Sequence, residues 1–150
     1  MPYWRLFYHF VFGTRNREPL IDEPWETDLH NVIAAKAKEL GAFVYAMGGV
    51  EDHIHLVASV PPRMALATFI GQVKGSSSHF VNHALSLETQ FAWQGDYGVV
   101  SFGAKHLDTV VRYVRGQRQH HSQGTLIVML ETAVSDASTA CGIEPPHSLD

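Results

Sequence analysis

The stretch Ala42-Phe43-Val44-Tyr45-Ala46-Met47-Gly48-Gly49-Val50-Glu51-Asp52-His53-Ile54-His55-Leu56-Val57-Ala58-Ser59-Val60 decides how the chain is read. Ala42 to Met47 and His53 to Val60 are rich in β-branched, aromatic and aliphatic residues, which predicts two strands. Gly48-Gly49-Val50-Glu51-Asp52 joins them, and Pro61-Pro62 ends the second. Upstream, Leu29, Val32, Ile33, Ala37 and Leu40 recur at helical spacing after Pro24, and Gly41 stops that helix. Before it, Tyr3 to Phe12 reads as a strand and Gly13-Thr14-Arg15-Asn16-Arg17-Glu18-Pro19 as a basic loop. Downstream, a helix is expected from about Ala65 to about Leu85, and a fourth strand from Tyr97 to Phe102. Leu107, Val110, Val111 and Val114 mark a third helix ending near His121, and the tail adds an expected helix from about Thr125 to Ala140, stopped by Gly142.

The order strand, helix, strand, strand, helix, strand, helix begins as the split βαβ pattern of ferredoxin-like folds. The expected class is α+β: an antiparallel sheet with helices on one face, plus a C-terminal helix that carries Tyr113. Such a sheet leaves its other face open as a platform. The chain has 150 residues, enough for one domain with its own core and too few for two.

Composition excludes several classes. Cys141 is the single cysteine, which rules out an intrachain disulfide framework and any multi-cysteine zinc site. No apolar run approaches the roughly 18 residues of a membrane span, and Met1-Pro2-Tyr3-Trp4-Arg5 lacks the pattern of a signal peptide. A cytoplasmic protein with no membrane partner is expected. The formal charge is −4, which by itself does not favour nucleic acid. All 11 Lys and Arg, however, lie within residues 1–118 beside 11 of the 15 acids, so the excess negative charge sits in the tail.

The sharpest local signal is Asp52-His53-Ile54-His55-Leu56-Val57. Strand side chains alternate, so His53 and His55 share one sheet face while Ile54 and Leu56 point into a core. Two imidazoles so placed can bind one divalent metal, and they equally suit a solvated strand face. Histidine-triad hydrolases need a third histidine where Val57 stands. Two-histidine phosphoesterases need His-x-Ser/Thr, and here the last residue is His55.

A second constellation is Arg112-Tyr113-Val114-Arg115-Gly116-Gln117-Arg118-Gln119-His120-His121. Tyr113 and Gln117 are four apart and share a helix face, with His120 continuing the line. A phenol beside a carboxamide suits a nucleophile next to a metal ligand, because the amide oxygen can enter a Mg²⁺ or Mn²⁺ shell. A half-buried structural tyrosine fits the same pattern.

Taken together, His53, His55, Tyr113 and Gln117, in this element order, resemble the single-tyrosine HUH transposases of the insertion-sequence 200/605 family. The resemblance runs from residue 3 to about 121 and includes Phe12-Gly13-Thr14-Arg15-Asn16-Arg17, Val73-Lys74-Gly75-Ser76-Ser77-Ser78 and Trp93-Gln94-Gly95-Asp96-Tyr97-Gly98. It implies a catalytic domain over 1–121, with 122–150 as a helical tail of the same domain. It also implies a homodimeric endonuclease and strand transferase for single-stranded DNA with subterminal hairpins. Tyr113 would be the nucleophile and form a 5′-phosphotyrosine, and His53, His55 and Gln117 would hold Mg²⁺ or Mn²⁺. Three neutral ligands should hold such an ion weakly until DNA phosphates complete the shell, with His120 as a substitute ligand. Arg112, Arg115 and Arg118 on the tyrosine helix, Arg15 and Arg17 in the loop, and Lys74 are candidate DNA contacts. Gly71 and Gly75 would be explained by close approach of DNA or by close helix–sheet packing. The alternatives are a domesticated relative that binds or processes DNA hairpins, and a non-catalytic ferredoxin-like DNA-binding module. The apolar run Thr125-Leu126-Ile127-Val128-Met129-Leu130 departs from the charged tail of such relatives.

Overall fold

The computed structural model describes residues 3–85, 87, 89–124 and 126–132. Four strands form one antiparallel sheet: β1 (Phe7–Gly13), β2 (Phe43–Val50), β3 (His53–Ser59) and β4 (Gly98–Phe102), in the spatial order β2-β3-β1-β4. That is the ferredoxin-like order expected from the sequence. The central strands β1 and β3 pair from Tyr8 opposite Ala58 to Gly13 opposite His53, with Val11 opposite His55. A register shift between Val44 and Ala46 bulges β2 around Tyr45.

Two helices cover the first face. Helix α1 (Glu23–Glu39) begins with Pro24 in its first turn, where a missing N–H costs nothing. It buries Trp25, Leu29, Ile33 and Ala37, a stripe at steps of four. Its chain leaves through Gly41, whose φ of +86° is the left-handed conformation that glycine adopts freely. Helix α2 (Leu66–Ala84) buries Phe69, Ile70, Val73 and Val81 against Phe10, Phe12, Ile54 and Leu56 of the sheet. A side chain at Gly71 or Gly75 would meet nothing, so helix–sheet packing does not account for these glycines.

The second face is not an open platform. Helix α3 (Leu107–Arg115), helix α4 (Gln117–Gln123) and the short α5 (Val128–Glu131) lie over it. They build a second core from Ala46, Val57, Val110, Tyr113, Val114 and Leu130. Two glycines admit this layer. A Cβ on Gly48 would sit 2.0 Å from the carbonyl oxygen of Val114, and one on Gly98 would sit 1.9 Å from that of Thr132. The helix expected to run to His121 is kinked at Gly116, which separates α3 from α4. Of the expected tail helix only Val128–Glu131 is helical among the described residues, and 133–140 lie outside them. The first strand starts at Phe7 rather than Tyr3. No helix among the described residues is long and apolar enough to cross a membrane.

Candidate active site and metal centre

Strand alternation turns His53 and His55 to the second face, where α4 and α5 close over them. They are 1% and 0% exposed, which removes the solvated-strand reading. His53 Nδ1 lies 2.6 Å from Asp52 Oδ1, with Arg17 beside that carboxylate at 3.4 Å. Burial works to raise the Asp52 pKa, but the His53 hydrogen bond and the Arg17 charge outweigh it and hold the carboxyl below its ordinary value. Arg17 reaches this position from a left-handed backbone, φ 55°, uncommon for a side chain of its size. His55 Nδ1 lies 2.7 Å from Nε2 of the buried His9.

Tyr113, Gln117 and His121 follow at steps of four and reach the same place from above. His121 Nε2 lies 3.1 Å from His53 Nε2 and 3.1 Å from Gln117 Oε1. Gln117, 1% exposed, thus joins the histidines through His121, while its amide donates to the Tyr113 carbonyl at 3.3 Å. His120 stacks on the Tyr113 ring, with centroids 4.6 Å apart. His121, four residues after Gln117, enters the cluster, whereas His120 stays on the Tyr113 ring.

Glu131 completes the arrangement, and sequence reasoning missed it. Its Oε1 lies 3.1 Å from Nε2 of both His53 and His55, and 3.3 Å from Nε2 of His121. Its other oxygen accepts the hydroxyl hydrogen bond of Tyr113. The Tyr113 oxygen in turn accepts from the Ile127 N–H at 2.9 Å. Burial disfavours ionisation of Glu131, yet the hydrogen bonds from His53 and His55 hold its pKa well below the usual carboxylate range. Burial and the Glu131 hydrogen bond push the Tyr113 hydroxyl up to about 12. Burial pushes His55 down, against the pull of Glu131.

The donor set fits a divalent cation. One nitrogen each of His53, His55 and His121 and one oxygen of Glu131 all lie within 4.8 Å of one another. Three imidazole nitrogens converge on a single carboxylate oxygen. Without a cation, a ring that hydrogen-bonds to that oxygen does so through a proton on its Nε2. A divalent ion there would take the place of those protons and accept the lone pairs of neutral rings. Imidazole with carboxylate is a mixed set that suits Mn²⁺ and its neighbours. The centre also contains an anionic group, which the sequence reading did not include. The only hint was a lone acid after an apolar run, and no spacing rule connects Glu131 to the strand histidines.

The candidate DNA contacts are dispersed. Arg17 and Arg118 line a groove of about 420 Å³ with Glu51, Asp52 and His121, beside the cluster. Arg118 is engaged by Glu23 at 3.3 Å, by Glu51 at 4.0 Å and by Glu26. Lys74 donates to the carbonyls of Gln94 at 2.8 Å and Asp96 at 2.6 Å, so it ties α2 to the loop before β4. Arg112 donates to the Asp108 carbonyl and Arg115 to that of Tyr45, each at 3.4 Å, and both are exposed on α3. Arg15 is exposed in a single turn of 3-10 helix after β1.

The family model described as "Transposase IS200 like" matches residues 2–117. The transposase for insertion sequence element IS200 of Salmonella typhimurium LT2 is 22% identical over 126 residues, 81% of this chain and 82% of the relative. The ISDra2 transposase TnpA of Deinococcus radiodurans is 23% identical over 119 residues, 76% of this chain and 85% of its own. In fold, a crystal structure of a candidate transposase from Deinococcus radiodurans R1 superposes with a TM-score of 0.63 at 19% identity, covering 76% of this chain and 92% of that one. A REP-associated tyrosine transposase bound to a REP hairpin gives a TM-score of 0.57 at 15% identity, covering 92% and 96%.

Proposed function

Because the chain belongs to the IS200-like transposase family, we propose that it cleaves and rejoins single-stranded DNA at insertion-sequence ends by transesterification at Tyr113. One observation carries the reading: the Tyr113 hydroxyl and the imidazoles of His53 and His55 all hydrogen-bond to one carboxylate, that of Glu131. A nucleophile and a set of metal donors thereby share one point.

Tyr113 attacks the scissile phosphorus, a bond forms from the phenolic oxygen to phosphorus, and the phosphorus–O3′ bond breaks. The products are a 5′-phosphotyrosine and a strand that ends in a 3′-hydroxyl. The hydroxyl proton has an acceptor in place in Glu131. A second 3′-hydroxyl reverses the reaction on the covalent link and rejoins the strand, with no nucleotide cofactor needed. His53, His55 and Gln117 are the ligands proposed for Mg²⁺ or Mn²⁺, with His121 and Glu131 as further donors. When bound, such an ion would polarise phosphate oxygens and offset the charge of the pentavalent transition state. The His120 ring against Tyr113 fixes the phenol's orientation.

Residues 1–121 act as the catalytic domain, and the following segment supplies Glu131. The proposed assembly is a homodimer. The DNA partner is a single strand with a subterminal hairpin, in line with the REP hairpin held by the structural relative. Arg15, Arg17, Arg112 and Arg115 are the proposed phosphate contacts, with Lys74 and Arg118 acting once released from their present partners. The protein is placed in the cytoplasm, where such DNA is exposed.

The test is strand cleavage of a hairpin-bearing single strand in Mn²⁺, with His53→Ala/His55→Ala and excess chelator as comparisons. Cleavage by the native chain, lost in both comparisons while hairpin binding persists, is expected. Cleavage undiminished in chelator would overturn the metal assignment. Hairpin binding without cleavage under any metal would favour a non-catalytic hairpin-binding protein instead.

A further inference from the structure

His9 has no part in the chemistry above, yet it is 1% exposed in the middle of a central strand. It pairs with Val57, and Val11 pairs with His55, so His9 is the diagonal neighbour of His55 on the same sheet face. The two rings are 4.9 Å apart, with His9 Nε2 2.7 Å from His55 Nδ1. Val57 and Val114 of the adjoining core are fully buried, so an aliphatic or phenyl side chain would suit the position better than an imidazole. What the imidazole adds is a hydrogen-bonding partner for His55.

His55 faces two ways. Its Nε2 points at Glu131 and the cluster, and its Nδ1 points at His9. A neutral imidazole has one proton, so a lone pair on Nε2 requires the proton on Nδ1. A buried N–H requires an acceptor, and His9 Nε2 is the partner that Nδ1 has among the described residues. We infer that His9 is a positioning residue of the metal centre: its Nε2 accepts the Nδ1–H of His55 and thereby directs the Nε2 lone pair of His55 at a divalent cation. For this His9 must carry its own proton on Nδ1.

His53 has the corresponding support in a different form, from the Asp52 carboxylate at 2.6 Å. The difference follows from depth. Asp52 sits at the β2–β3 turn and is partly exposed, whereas the partner of His55 lies under the sheet's second layer. A carboxylate there would bury a second negative charge beside Glu131. A histidine accepts the same hydrogen bond while staying neutral. Outer partners of this kind orient ligand rings and set their basicity.

The inference rests on the proposed metal centre, and its test separates the two. Long-range ¹H–¹⁵N correlation spectra of the native protein, loaded with Mg²⁺, report the tautomers of His9 and His55 directly. Mn²⁺ affinity without DNA is read from the paramagnetic resonance of the free ion, for the native chain, His9→Phe, His9→Gln and His53→Ala/His55→Ala. Expected are an Nδ1–H tautomer for both rings, and Mn²⁺ binding weakened roughly 10–100-fold in His9→Phe. Binding in His9→Gln should return to within a few-fold of native, because its amide oxygen can accept the same hydrogen bond. A protonated Nε2 on His55 in the loaded protein would overturn the role of His9 even if no variant folds. So would native Mn²⁺ affinity in His9→Phe while the double alanine variant has lost binding. Native affinity in the double alanine variant would overturn the metal centre, and the role of His9 with it.

Discussion

Tyr113 is a poor nucleophile as it stands. With its pKa raised to about 12 by burial and then by the Glu131 carboxylate, only about one molecule in 10⁵ is ionised at pH 7. The two causes can be separated. Glu131→Gln keeps the burial and removes the negative charge, so the pKa of Tyr113 should fall while staying above the free value near about 10. Absorbance titration of the metal-free protein at the phenolate band checks this: the last tyrosine to ionise should do so at lower pH in the variant. An unmoved last step would mean that burial alone raises it. The residues of this centre differ in how legible they are in the sequence. His53 and His55 follow from strand alternation, and Tyr113 with Gln117 from the helical step of four. His121 continues that step and was open to the same reading, but counting along a straight helix from Tyr113 led to His120. The kink at Gly116 was not anticipated. Lys74 and Arg118 were expected to contact DNA, since sequence does not reveal that carbonyls of the loop before β4 and acids of α1 engage them.

At the scale of elements, the second layer depends on close backbone approach. Gly48 pairs with His55 on β2 and lies under the end of α3; Gly98 pairs with Val11 on β4 and lies under Thr132. Gly48→Ala forces a Cβ against a main-chain carbonyl, with no flexible side chain to yield. It should cost about 1–3 kcal/mol, read from the urea midpoint at unchanged slope. Gly98→Ala presses instead on the segment next to Glu131, which packs less of the core. Limited proteolysis should therefore cut residues 124–132 faster in Gly98→Ala than in the native chain, with a smaller loss of stability than in Gly48→Ala. Equal protection in both chains would mean that the segment docks without needing this glycine. The strands and the first two helices were readable because each carries one uninterrupted period and one apolar face. The tail was not: α5 is a single turn, and tertiary contacts rather than any repeat hold it on β1 and β4.

For the whole molecule, the ferredoxin-like order was readable from the alternation of elements, whereas closure of the second face was not. Internal partners limit the charge that the candidate contacts offer to DNA. Arg118 is engaged by three carboxylates and Lys74 by two carbonyls, leaving Arg15, Arg17, Arg112 and Arg115 as the more accessible of the six. Four phosphate contacts on a single strand give a log–log salt dependence of about −3 or shallower. Hairpin-bearing single strands should bind better than fully paired duplexes of equal length. A slope near −6, or equal affinity for both forms, would mean a larger basic surface than this fold presents. The central claim is that Tyr113, opposite the paired histidines, is the atom that takes the DNA. It is tested most directly by incubating the protein with hairpin-bearing single-stranded DNA and Mn²⁺, digesting the covalent adduct and locating the linked residue by mass spectrometry. The account predicts a 5′-phosphate on Tyr113 and no adduct from Tyr113→Phe. A link to Tyr3, Tyr8, Tyr45 or Tyr97, or an undiminished adduct in Tyr113→Phe, would contradict it.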